Sequence, residues 1–137
     1  MEKVKVGVIG CGLAWERLHY PAFQELADRY QIAALCERHP EVAEDWGHRL
    51  GLDVTRDVFT DYRQMVQRAD LQVIDILVPI PQNHQVAAEV ARAGKHIILE
   101  KPLGATYDQA VATTELPYLY GIKMMIAENY RYSEEFN

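Results

Sequence analysis

The hydrophobic pattern of the sequence alternates short apolar runs with longer segments whose apolar residues recur at helical spacing. Short runs rich in Val, Ile and Leu are typical of buried strands. The run 73–78, "VIDILV", is nearly continuous, as expected for a parallel strand covered on both faces. The pattern predicts six strands, at residues 4–9, 32–36, 54–55, 73–78, 96–99 and 123–127.

The segments between the strands predict the connecting helices. One helix follows the first strand and reaches about residue 29, and another lies within "DVFTDYRQMVQRAD", where Phe59, Tyr62, Met65 and Val66 have helical spacing. The others are expected at 40–50, 83–93 and 107–120. Pro117 interrupts the last of these, and a proline costs about 3 kcal/mol in a regular helix interior. We therefore expect a kink or an early break there.

This order of elements predicts an α/β fold. Strands that alternate with helices form a parallel sheet with right-handed crossovers. Six strands within 137 residues correspond to one complete dinucleotide-binding domain. We predict a doubly wound six-stranded Rossmann sheet with strand order 3-2-1-4-5-6 over residues 1–128, and residues 129–137 as the start of a connection to another domain.

Composition and charge exclude several classes of partner. The net charge of −6 argues against nucleic acid. No segment approaches the roughly 18 to 20 apolar residues that cross a bilayer, so no membrane partner is expected. Cys11 and Cys36 have neither a disulfide framework nor metal-ligand spacing. We expect no metal, a cytoplasmic location and two small buried cysteines.

The turn after the first strand, "GVIGCGLAW", carries a possible phosphate-binding motif. Gly10 and Gly12 occupy the first two glycine positions of a G-x-G-x-x-G fingerprint, and Trp15 stands at the third. Such a turn lets a pyrophosphate approach the backbone and the following helix N-terminus. Leu13 and Ala14 are further predicted contacts, and Ala14 could supply the close packing that Trp15 does not. A purely structural turn is the alternative.

The end of the second strand supplies a candidate ribose-binding residue. Glu37, in "LCERH", lies where a carboxylate can accept hydrogen bonds from the ribose hydroxyls of a dinucleotide. Its charge would repel a 2′-phosphate, which favours NAD over NADP. Arg38 leaves NADP possible, because a guanidinium can pair with that phosphate or stack on adenine. A solvated turn is the other interpretation.

The stretch "HIILEKPLG" places an acid and a base at the end of the fifth strand. Ligands of open parallel sheets bind outside the carboxyl ends of the strands. Lys101 there could exchange a proton with a substrate oxygen, with Glu100 orienting or tuning it. A surface ion pair of little energetic weight is an equal alternative from spacing alone.

Four stretches together resemble the N-terminal domain of the Gfo/Idh/MocA oxidoreductase family. They are "GVIGCG" with "HYPAF", "VPIPQNH", "AGKHIILEKPLG" and "AENYRY", and they span nearly all of the chain. The E-K-P motif is the most specific of them. The resemblance implies that Lys101 is catalytic with Glu100 beside it, and that the Lys101–Pro102 peptide is cis.

The same resemblance implies further site residues. Pro79, Pro81, Asn83 and His84 match the loop that runs along the cofactor, and His84 is a possible catalytic residue. A histidine satisfied by the backbone at a helix start is an equally good interpretation of His84. Asn129, with Arg131 nearby, matches the segment that leads towards the second domain and is expected near the active site.

The resemblance also implies what a longer protein would do. The family has a C-terminal antiparallel-sheet domain that supplies substrate contacts, an Asp and His pair and the homo-oligomer interface. The expected function is hydride transfer between NAD(P) and a small sugar, cyclitol or related compound, and the 137-residue chain alone should bind cofactor without full catalysis. A non-catalytic nucleotide-binding module and a methyltransferase are the alternatives.

Overall fold

Six parallel strands form one sheet in the order β3-β2-β1-β4-β5-β6. The structure is a computed structural model that describes residues 2–127. The strands are β1 (Val4–Ile9), β2 (Tyr30–Cys36), β3 (Val58–Phe59), β4 (Val73–Ile76), β5 (His96–Glu100) and β6 (Met124–Ala127). The predicted Rossmann topology is confirmed.

Helices cover both faces of this sheet. A π-helical turn, Trp15–His19, leads into α1 (Tyr20–Glu25), and a short 3-10 turn spans Ile80–Gln82. The helices after α1 are α2 (Pro40–Arg49), α3 (Val54–Asp57), α4 (Tyr62–Met65), α5 (Asn83–Arg92) and α6 (Tyr107–Tyr120). In residues 2–127, no helix is both long and apolar enough to cross a membrane.

Two hydrophobic clusters lie on opposite faces of the sheet. One packs Ile74, Ile97 and Leu99 of the strands against α5 and α6. The other packs Val8 and Leu35 against the segment after β1 and against α2, through a group of aromatic side chains. Because the strands are parallel and packed on both faces, their carboxyl ends lie at one edge of the sheet, where ligands of this fold class bind.

The third strand differs from the prediction. Val54 and Thr55 do not form it but open α3, because the Asp53 side chain accepts hydrogen bonds from the backbone N and Oγ1 of Thr55 and starts a helical turn. The strand is Val58–Phe59, which pairs with the end of β2. Phe59 consequently belongs to a strand, and the helical spacing around it describes only the short α4.

Two helices also differ from the prediction. The first does not reach residue 29, since α1 ends at Glu25 and a turn connects it to β2. The early break predicted at Pro117 is wrong, because α6 is assigned as one helix through that residue. Thr113 and Leu116, both buried, hold α6 against the rest of the domain on the amino-terminal side of Pro117, and Gly121 with φ of 64° ends the helix.

Candidate functional site

A cavity of about 700 Å³ opens at the carboxyl ends of β1, β2, β3 and β4. Its wall includes seven of the residues predicted from the sequence, namely Gly10, Gly12, Leu13, Ala14, Glu37, Arg38 and Pro79. These residues come from separate parts of the chain and meet because parallel strands bring their carboxyl ends to one edge. These seven predicted residues therefore line one continuous cavity.

The glycine turn forms the floor of this cavity. Gly10 has φ of 95°, and a Cβ atom built there would lie 2.0 Å from the carbonyl oxygen of Leu77. A Cβ atom on Gly12 would meet no protein atom within 4 Å. Gly10 is thus required by the protein's own backbone, whereas Gly12 leaves open space on the cavity side.

Trp15 is part of the core and also contributes to the cavity wall. Its side chain is fully buried, and its ring lies 5.6 Å from the ring of Tyr20 and 5.6 Å from that of Trp46, centroid to centroid. Ala14, which we expected to supply the close contact, is exposed. That expectation is wrong, because the aromatic cluster itself packs the helical segment against the sheet.

Glu37 stands at the end of β2 with a largely covered carboxylate. Its side chain is 13% exposed, and Oε2 accepts a hydrogen bond of 3.4 Å from the backbone N of His39. The neighbouring Arg38 is exposed and contributes to the same cavity wall. This is the position from which a carboxylate reaches ribose hydroxyls in dinucleotide-binding sheets.

The cavity wall also contains residues that sequence reasoning missed. Thr60, Asp61, Tyr62 and Arg63 follow β3 and line the cavity beside Glu37. The apolar pattern predicts the third strand four residues too early, at Val54, and therefore does not indicate the carboxyl end of the observed strand. His39, Gln82 and Val86 are further wall residues without a sequence signal.

Pro81, Asn83 and His84 lie outside the cavity wall. Asn83 is 2% exposed, and its Nδ2 donates a 2.8 Å hydrogen bond to the carbonyl oxygen of Pro102. His84 Nδ1 lies 2.9 Å from Oγ1 of Thr113 on α6. Both side chains therefore contact the region that follows β5, whereas Pro81 is exposed in the 3-10 turn.

The E-K-P segment begins on the last residue of β5. Glu100 ends the strand, Lys101 is exposed, and the Lys101–Pro102 peptide is cis, as the resemblance implied. The segment stands at the same sheet edge as the glycine turn but beyond the cavity wall. Asn129 and Arg131 fall outside the described residues, so their predicted placement stays a prediction.

Sequence reasoning also missed a hydrogen-bonded group around Glu100. His19 Nε2 lies 2.5 Å from Oε1 of Glu100, and His19 Nδ1 lies 2.7 Å from Oδ2 of Asp75 on β4. Burial alone lowers the pKa of His19, but its hydrogen bonds to Asp75 and Glu100 outweigh burial and raise that pKa from 6.5 to about 9. Burial raises the pKa of Asp75, and His19 opposes that effect.

The two cysteines are small buried residues near strand ends, as predicted. Cys11 is 5% exposed and Cys36 is 4% exposed, and both are free thiols. Burial, together with the charge of Glu37, raises the pKa of Cys11 to about 12. Among residues 2–127, no group of three or more His, Cys, Asp or Glu side chains is arranged to hold a metal ion.

The fold and the cavity together define a dinucleotide-binding domain. The open space at Gly12 and the carboxylate of Glu37 fit the pyrophosphate and the ribose of such a ligand. Residues 4–124 match the family described as "Oxidoreductase family, NAD-binding Rossmann fold", GFO_IDH_MocA. The chain belongs to this family, which confirms the resemblance, and the NAD-binding fold agrees with the predicted cofactor class.

Relatives and solved structures extend this comparison. Levoglucosan dehydrogenase of Pseudarthrobacter phenanthrenivorans is 30% identical over 138 residues, which cover 96% of this chain and 34% of that protein. The crystal structure of an oxidoreductase from Thermotoga maritima superposes with a TM-score of 0.86 at 27% identity, covering 95% of this chain and 39% of that one. A structure of levoglucosan dehydrogenase in complex with NADH gives a TM-score of 0.83 at 29% identity, covering 95% and 36%. The chain thus spans between about a third and two-fifths of the length of these proteins.

Proposed function

We propose that this chain is the NAD(H)-binding part of a dehydrogenase that acts on a sugar, cyclitol or related hydroxy or keto compound. The observation that carries the proposal is the single cavity that joins the open glycine turn to the carboxylate of Glu37. The substrate class is supported by the levoglucosan dehydrogenase relative.

The glycine turn is the proposed pyrophosphate site. Open space lies beside Gly12, next to the start of the helical segment, where backbone N–H groups stabilise negative charge. The exposed Leu13 and Ala14 belong to this part of the wall. A methyl group on Gly12 would occupy space that the phosphate oxygens need.

Glu37 and Arg38 are the proposed adenosine contacts. The Glu37 carboxylate accepts hydrogen bonds from the ribose hydroxyls, and its charge disfavours a 2′-phosphate. Asp61, which lines the same wall, adds a second negative charge. We therefore propose NAD as the preferred cofactor, while Arg38 at the rim leaves NADP as a weaker ligand.

Lys101 is the proposed proton-exchanging residue, with Glu100 beside it. The bound nicotinamide supplies or accepts the hydride. Lys101 follows the carboxyl end of β5, from which we propose that it donates a proton to, or accepts one from, a substrate oxygen. We assign His84 and Asn83 a supporting role, because their hydrogen bonds reach Thr113 and Pro102 and not the cavity.

The complete reaction is proposed for a longer protein. The relatives are about three times the length of this chain, and substrate contacts and homo-oligomer contacts are proposed to come from such additional sequence. We expect the chain alone to bind cofactor without full catalysis. A non-catalytic nucleotide-binding module is the alternative to this proposal.

Calorimetric titration with NADH and with NADPH tests the proposal. We expect NADH to bind more tightly, and Glu37→Ala to weaken NADH by about tenfold or more, because a charged hydrogen-bond acceptor is lost. Glu44→Ala is the matched control, since Glu44 is 62% exposed on α2 and outside the cavity wall. Tighter binding of NADPH, or equal effects of the two variants, would contradict the proposed ribose contact.

A further inference from the structure

Three charged side chains from separate elements meet beside the E-K-P segment. His19 ends the π-helical turn that follows the glycine turn, Asp75 lies within β4, and Glu100 ends β5. The His19 ring lies between the two carboxylates, with one ring nitrogen within hydrogen-bond distance of each. The imidazole therefore connects the segment after the phosphate-binding turn to two neighbouring strands.

The hydrogen bond between His19 and Asp75 offsets the cost of burying a carboxylate. The Asp75 side chain is fully buried, and Asp75 pairs in register with Val8 and Ile98 inside the sheet. Within the described part of the chain, its Oδ1 has no hydrogen-bond partner, so the His19 bond through Oδ2 is what compensates burial of this carboxylate. A carboxylate in a strand that could have held an aliphatic residue points to a function beyond packing.

The two hydrogen bonds of His19 require one proton in addition to that of a neutral imidazole ring. Two ionised carboxylates are acceptors only, so both ring nitrogens of His19 must then carry hydrogen. A neutral ring would instead need one protonated carboxyl group. In either case the three side chains together hold one proton more than a neutral ring with two carboxylates, and the raised pKa of His19 agrees with this.

The segment that carries Lys101 is held on both sides of that residue. On one side, Glu100 is bonded to His19. On the other, the carbonyl oxygen of Pro102 accepts a hydrogen bond from the buried Asn83 at the start of α5. Lys101 thus stands between two residues whose positions are set by two different helical segments.

We propose that His19 is a positioning residue that, braced by Asp75, fixes Glu100 and thereby the place of Lys101 relative to the phosphate-binding turn. This inference rests on the proposed function for the catalytic role of Lys101. The hydrogen bonds that join His19 to Asp75 and Glu100 do not depend on that role. The charged groups that face His19 are Asp75 from β4 and Glu100 from β5, and Glu16 and Arg17 of its own segment are exposed.

Carbon-13 NMR of the 137-residue chain tests this coupling directly. We expect the His19 ring to lose its proton with a midpoint of about pH 9, above the usual histidine pKa of 6.5. The Cα and Cε resonances of Lys101 should show a step at the His19 midpoint, because the hydrogen bond between His19 and Glu100 changes when the His19 ring loses its proton. The exposed Lys3 should show no such step.

Two variants separate positioning from folding. In Asp75→Asn, which keeps the side-chain shape, we expect the His19 midpoint to fall by about one unit or more and the Lys101 step to move with it. His19→Gln should abolish the step, whereas the control His48→Gln, at a ring that is 67% exposed, should leave it unchanged.

Lys101 resonances that show no step at the pH midpoint of His19 would overturn the inference. A step that persists in His19→Gln would do the same. NADH titration of the same samples reports on the proposed function separately. If NADH binds but Lys101 shows no step at the His19 midpoint, only the positioning role of His19 is contradicted. If Lys101 shows the step but NADH does not bind, only the proposed cofactor-binding function is contradicted.

Discussion

At the scale of single residues, the two glycines of the turn after β1 have different physical roles. Gly10 has a positive φ and lies against the Leu77 carbonyl, so the protein itself requires glycine there. Gly12 faces open space, and no protein atom would meet a Cβ atom placed on it. The pattern G-x-G therefore combines a folding requirement with a binding requirement.

Alanine substitutions should separate these two requirements. We expect Gly10→Ala to lower the free energy of unfolding by about 2 to 4 kcal/mol, because of the close approach and the left-handed backbone. Gly12→Ala should change it by less than about 1 kcal/mol but weaken NADH binding at least about tenfold. Urea unfolding and calorimetric titration measure the two effects. Wild-type NADH affinity in folded Gly12→Ala would contradict the phosphate-binding role.

The His19 group should make stability depend on pH. Its folded pKa of about 9 lies above the usual 6.5, so its contribution is complete below about pH 6.5 and is lost as pH rises through 9. The raised pKa of Asp75 acts in the same direction. The full shift corresponds to at most about 3 kcal/mol, and partial solvation should reduce this to about 1 to 2 kcal/mol.

Urea unfolding between pH 6.5 and 9 measures this contribution. We expect the free energy of unfolding to fall with pH in the wild type and to fall by about 1 to 2 kcal/mol less in His19→Gln. His48→Gln, on the exposed side of α2, should keep the wild-type slope. Parallel pH profiles of the wild type and His19→Gln would show that the ring contributes no linked stability.

At the scale of elements, one buried lysine connects β5 to the segment before β4. Lys95 is 9% exposed, and its Nζ donates hydrogen bonds of 2.7 Å to the carbonyl oxygen of Arg68 and 2.9 Å to that of Leu71. It belongs to the "AGKH" part of the motif around β5. The structure gives this lysine a contact with backbone carbonyls far from the cavity, at the amino end of the strand.

Removing this ammonium group should destabilise the chain without affecting the site. We expect Lys95→Met to lower the free energy of unfolding by about 2 to 4 kcal/mol, because two carbonyl groups lose a charged donor. The exposed Lys3→Met should cost less than about 0.5 kcal/mol. Chemical unfolding provides the measurement, and folded Lys95→Met should keep wild-type NADH affinity. A loss of affinity with unchanged stability would contradict a structural role.

At the scale of the whole molecule, the two edges of the sheet differ in character. The carboxyl edge carries the 700 Å³ cavity with its open glycine turn. The amino edge carries a polar hollow where cations and anions are paired, with Arg68 bonded to Asp57 at 2.8 Å and to Asp70 at 2.7 Å. Charges neutralised in this way leave the carboxyl edge as the better ligand site.

The sequence was sufficient for the topology and for seven residues of the cavity wall, because apolar runs and glycine turns are local signals. Two features could not be predicted from the sequence, because long-range contacts determine them. The β3 strand has two residues and is fixed by pairing with β2, so its own sequence does not mark it, and Asp61 was missed with it. His19 contacts partners that lie 56 and 81 residues away in the sequence. The one sequence signal for this group is Asp75, a charged residue within the apolar run "VIDILV".

The central claim is that one continuous site runs along the carboxyl edge, and NADH-induced shifts in a nitrogen-15 NMR spectrum of the chain test it most directly. We expect the largest shifts at Gly10, Gly12, Ala14 and Glu37, because these residues line the cavity, with smaller ones at Lys101, which follows β5 at the same edge of the sheet. Shifts confined to the amino edge around Lys5 and Arg68, or no shifts with NADH in large excess, would contradict the account.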